Sequence, residues 1–115
     1  DIIDVGIEFA IKAKHGTDRF TLLAAAMGAL NMRFRTPFFI GEPLYISDIY
    51  NEINQIPGVL DVVKVKVVNK TGPNYSSNVL DIPRNLSPDG DYLVVPKNAI
   101  LQIRFPKMDI IGKIR

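Results

Sequence analysis

Between Phe38 and Val68 the hydrophobic period of the chain changes abruptly, and that change excludes most of what the chain could otherwise become. Ile46, Ile49, Tyr50, Ile53 and Ile56 recur at steps of three and four, the spacing of one helix face. The pattern breaks at Pro57-Gly58 and gives way to a valine-rich run from Val59 to Val68. Proline cannot continue a helix, and glycine takes the left-handed backbone that reverses the chain. A helix, a tight turn and a strand folded back onto that helix are therefore expected. At the helix start, Pro43 suits a first helical position and Ser47 an N-cap; the start is placed at about Leu44.

The first residues alternate with period two. Val5, Ile7, Phe9, Ile11 and Ala13 fall on one side, and Asp4, Gly6, Glu8, Ala10, Lys12 and Lys14 on the other. This predicts a strand over Ile2–Lys14 with one buried face and one wet face, turned at His15-Gly16. Thr17 is the expected N-cap of a helix over Asp18–Arg35, with Asp18 in the favourable first turn and Phe20, Leu23, Met27, Leu30 and Phe34 inward. The same helix carries Ala24, Ala25, Ala26, Gly28 and Ala29. Small side chains permit close approach, and a glycine in mid-helix costs about 1 kcal/mol against alanine. Close packing against the second helix of the same domain is the expected explanation, and contact with another subunit is the rival.

Thr36-Pro37 ends that helix, and Phe38–Ile40 is a short apolar connection or strand. In the valine run, Val63, Val65 and Val67 oppose Lys64 and Lys66, while Val62-Val63 suggests a bulge or a doubly buried start of the strand. From Asn69 to Gly90 the periodicity is lost. Loops of this length are either surface excursions or arms that order against a neighbour. After the turn Pro88-Asp89-Gly90-Asp91, the runs Tyr92–Val95 and Ile100–Phe105 read as a hairpin across Pro96-Lys97-Asn98-Ala99. Pro106 closes it, and the extended tail Asp109–Ile114 reads as one more short strand, weakened by Gly112. The expected fold is α+β: one domain over residues 1–115, a two-layer sandwich with two helices on one face of a mainly antiparallel sheet, a long loop and an extended C-terminal tail.

Candidates for chemistry are sparse. There is no cysteine and a single histidine, so neither a disulfide framework nor a thiolate metal site is available. His15 sits in a turn without an orienting carboxylate in the pattern, and no phosphate loop or nucleophile elbow occurs. Asp81, Asp89 and Asp91 beside Gly90 lack the order of a calcium loop and read as turn residues. No catalytic, cofactor-binding or metal-ligating residue is assigned, and no enzyme activity is expected. No apolar run is long enough to cross a bilayer. A net charge of +2 is too slight to make nucleic acid the default partner. Sheets that read single-stranded RNA stack bases on outward aromatics, whereas the outward positions here are Glu8, Lys12, Lys14, Lys64, Lys66, Gln102 and Arg104, with Phe9 and Phe105 inward. A nucleic-acid-binding α+β module, drawing on those lysines, is the alternative function; an active site completed by another chain ranks last.

The run Gly41-Glu42-Pro43-Leu44-Tyr45-Ile46-Ser47, then Ile49-Tyr50, then Ile56-Pro57-Gly58-Val59 with its alternating valines, resembles the C-terminal part of J-like baseplate wedge proteins of contractile phage tails, T-even-type wedge ring subunits among them. The resemblance implies a structural assembly domain in the tail baseplate of a virion, built in the host cytoplasm. It implies self-association, as a homodimer helping to close a ring of wedges, and contacts with other baseplate subunits. The wedge proteins of that family are several times longer, and the opening at Asp1 is in keeping with a domain cut from a longer chain.

Overall fold

One long strand, β1 (Ile2–Ala13), organises the computed structural model, which describes residues 1–115. After a turn, α1 (Arg19–Arg33) packs back over it. The two-residue strand β2 (Leu44–Tyr45) leads into α2 (Ile46–Asn54), and β3 (Val59–Asn69) returns antiparallel to β1. A short helical turn, α3 (Ile82–Asn85), precedes β4 (Tyr92–Leu93), which pairs with β2 in a small separate sheet. Then β5 (Ile100–Gln102) runs parallel to the start of β1 at Ile2–Asp4. After the turn α4 (Pro106–Asp109), β6 (Ile110–Ile114) runs parallel to its later part at Ile7–Ile11. The result is an α+β fold with two main helices on one face of a mixed sheet.

Ile3, Val5, Ile7, Phe9 and Ile11 all point into the helix layer, where Leu22, Ala26 and Leu30 of α1 and Ile49 and Ile53 of α2 meet them. Burying these side chains, at roughly 1.5–3 kcal/mol each, is the main force holding helices to sheet. Arg33 adds a surface clasp between the helices, 3.6 Å from Asp48 and 3.5 Å from Glu52. All three side chains are part exposed, so the clasp orients more than it stabilises.

Several expectations need correction. The helix that was to begin at Leu44 begins at Ile46, because Leu44 and Tyr45 pair with Leu93 and Tyr92 instead; Ser47 is no cap, and its N–H donates to the Asp91 carbonyl at 3.0 Å. The N-cap of α1 is Asp18, not Thr17: its carboxylate accepts from Phe20 N–H at 3.3 Å and from the Thr21 hydroxyl at 2.6 Å. Thr17 lies against Gly58. The expected hairpin does not form, since β4 pairs with β2 and β5 with β1. Ile100 and Leu101 gain more from the apolar central strand than from the exposed Val94 and Pro96. The tail does form the short strand expected of it, paired only with β1 at the edge of the main sheet, with Ile110 buried.

Two predicted backbone features are present. Gly58 has φ +99°, and a Cβ there would stand 2.8 Å from the Thr17 methyl. The register of β1 against β3 shifts between Ala10 and Ile11, leaving Val63 as the extra residue of a bulge. Gly112 has the opposite of a weakening role. It lies beside Phe9 in the β1–β6 register, and the Phe9 ring occupies the place its side chain would take, 2.1 Å from a Cβ built there.

Candidate interaction surface

From Phe20 to Met32 helix α1 contains no charged residue. A helix apolar on all sides is normally covered on all sides. Here only one side is. Leu22, Ala26 and Leu30 are buried, with Leu23, Met27 and Phe34 packed beside them. On the other side Phe20 is 88% exposed and Met32 69%, and between them Ala24, Ala25 and Gly28 are open to solvent. A Cβ added at Gly28 would meet nothing within 4 Å. Packing within the domain therefore accounts for Ala26 and partly for Ala29, but not for Ala24, Ala25 and Gly28. Phe20, expected inward, belongs to this outer face because it stacks at four-residue intervals with Ala24 and Gly28.

The C-terminal half of this face borders a groove of about 600 Å³. Gly28, Asn31 and Arg35 form one wall, and Arg104, Phe105, Pro106, Lys107 and Met108 the other. That second wall exists because β5 and β6 lie along the same edge of β1 with a detour between them, which lifts residues 103–109 off the ladder opposite Val5 and Gly6. Met108 is 69% exposed. No aspartate or glutamate lines the groove, and neither Arg35, Arg104 nor Lys107 takes part in an ion pair.

Beneath the detour lies a buried polar cluster that sequence periodicity had placed on a wet surface. Asp4, on the supposedly solvated face of β1, is fully buried, and Asp109 nearly so. Asp4 Oδ2 accepts the Ser76 N–H at 2.7 Å. Both oxygens of Asp109 accept from the Tyr75 hydroxyl, at 2.9 and 3.0 Å, and Lys70 Nζ stands 4.0 Å away. Gly6 makes room for this crossing, since a Cβ there would fall 2.7 Å from the Asp109 carbonyl and 2.8 Å from Lys70 Cε. Partial burial, then the Asp109 carboxylate, raise the Tyr75 phenol above its ordinary value. The Tyr75 ring sits edge-on to Phe105, 5.6 Å between centroids, which joins the loop to the groove wall.

The long loop is thus ordered against its own sheet. Asn69 clamps Leu80 with two hydrogen bonds, 2.7 and 3.1 Å, and the Asn78 amide donates to the Ile2 carbonyl at 3.1 Å. A neighbouring chain is not required to order it. Both oxygens of Asp109 are spent on these tethers, whereas Asp4 uses only Oδ2 and its Oδ1 is buried without a hydrogen-bond partner; the shallow pocket above them, lined by Ile2, Pro73, Asn74, Tyr75, Ser76 and Arg104, exposes neither residue.

The remaining singled-out residues do not converge. His15 is exposed in the turn before α1. Asp81 caps α3 through Arg84 N–H at 3.3 Å. Asp89 accepts from the Ser87 hydroxyl at 2.7 Å and the Asp91 N–H at 3.1 Å, which holds its carboxyl below the usual range, while the Asp89 charge raises Asp91. Phe9 is buried and Phe105 half-buried; no group of three histidines or carboxylates is placed to hold a metal ion, and no helix is long and apolar enough to cross a membrane. In comparisons with known proteins the chain matches no family model, no curated protein and no solved structure.

Proposed function

We propose that this chain is a structural, non-catalytic assembly domain of a contractile phage-tail baseplate wedge, acting through contacts with a second copy and with other baseplate subunits. The observation that carries the assembly part is the uncovered outer face of α1, where Phe20, Ala24, Ala25, Gly28 and Met32 present an uncharged strip to solvent. Its small residues let a second helix approach closely, and Phe20 and Met32 supply the apolar area that association would bury. The baseplate part rests on the resemblance of Gly41–Val59 and the valines that follow. In this reading the protein resides in the virion tail after assembly in the host cytoplasm.

Sedimentation velocity over a concentration series tests the self-contact. Dimers are expected at micromolar concentration, with Ala24→Glu plus Met32→Glu returning the protein to monomer at unchanged melting temperature. A wild-type protein that stays monomeric up to about 1 mM would remove the homodimer from the proposal. Co-expression with the other wedge subunits of a contractile tail tests the second part, and failure to co-purify with any of them would refute it. Salt-sensitive binding of single-stranded nucleic acid to the exposed lysines would favour the alternative module instead.

A further inference from the structure

We propose that the groove between α1 and the β5–β6 detour is a docking site for an acidic peptide segment of a partner protein, one apolar side chain flanked by carboxylates. The proposal rests on the assembly reading; the groove borders the self-contact strip and shares Gly28 with it, but its cationic wall, residues 104–108, lies outside the strip.

Three observations support it. Arg35, Arg104 and Lys107 converge on one groove with no carboxylate in its lining and no ion pair of their own. Arg33, two residues from Arg35, shows the contrast: its charge is met by Asp48 and Glu52. Cations gathered around one groove repel one another, and an anionic occupant relieves that repulsion while gaining from all of them, by an amount that salt reduces. Between the cations the lining is carbon, with Phe105, Pro106 and Met108 opposite the bare backbone of Gly28. An apolar side chain can seat there while its neighbours reach the rim. A volume of about 600 Å³ is that of a small-ligand pocket, enough for a few side chains of a peptide. Nucleic acid fits less well, because bases need a free aromatic face to stack on. Phe105 has the Arg104 guanidinium 5.8 Å over its ring and the Tyr75 ring against it.

The test uses fluorescence anisotropy with dye-labelled short peptides carrying glutamates around a central leucine or phenylalanine, their lysine-for-glutamate counterparts, and a short oligothymidylate. The acidic peptides are expected to bind, more weakly as salt rises. Arg104→Glu combined with Lys107→Glu, both solvent-exposed positions, should weaken that binding at least about tenfold and let the lysine peptides bind in their place. Thermal melts confirm that the variant is folded. No binding of the acidic peptides at about 1 mM, equal binding of acidic and basic peptides, or preference for the oligonucleotide would each overturn the proposal. Sedimentation of the same variant separates this outcome from the self-contact: groove failure leaves dimerisation intact, and failure of the dimer leaves peptide binding intact.

Discussion

Gly112 and Gly28 lie on opposite sides of the helix layer and teach opposite lessons. At Gly112 the Phe9 ring fills the space where a side chain would be; at Gly28 that space is empty. One glycine is required by the fold. The other is tolerated by it, in the middle of an exposed helix where glycine costs stability, which is the pattern expected when the space is kept for something outside the chain.

Substitutions can break or sharpen this contrast. The largest effect should come from Phe9→Ala, which empties a fully buried ring site and should cost about 3–5 kcal/mol in denaturant unfolding. Gly112→Ala should cost about 3 kcal/mol by overpacking the same site, yet almost nothing in the Phe9→Ala background. Additive losses in that double-mutant cycle would show that ring and glycine do not share the space. Gly58→Ala, at φ +99° and against Thr17, should lose about 1–2 kcal/mol, and an unchanged melting temperature would refute the left-handed turn.

Tyr75→Phe should lower the melting temperature by leaving buried Asp109 without its hydroxyl donor. It carries a pH signature as well. A phenol whose folded pKa is raised contributes stability that is fully present below its ordinary value of 10.0 and is lost as pH rises above it. The variant should lack that alkaline loss. The smallest effect belongs to Gly28→Ala: a gain of up to about 1 kcal/mol in the monomer, accompanied by weaker self-association in sedimentation. A loss of monomer stability would mean that Gly28 is required after all, and the contrast with Gly112 would fail.

Where neighbours in sequence decide the outcome, the sequence was legible. The break at Pro57-Gly58, the bulge at Val62-Val63 and the inward side of β1 follow from backbone chemistry and period two, and the structure has all of them. The uncharged run of α1 was visible too, but not which part of it would be left bare. Periodicity assigns a residue to a face and cannot say whether another element will cover that face. Asp4 illustrates the limit: its alternation marks it as outward, and only the return of residues 69–78 across the sheet buries it.

The sequence by itself determined the two main helices, the long strands and the apolar side of each, because those depend on propensity and spacing within a few residues. Tertiary structure alone decided that β5 and β6 share one edge of β1, that the tail pairs parallel with β1, and that the detour between them meets α1 to form a cationic groove. Strand partners are chosen by competition for buried area and backbone hydrogen bonds among segments far apart in the chain. No local pattern records who wins that competition.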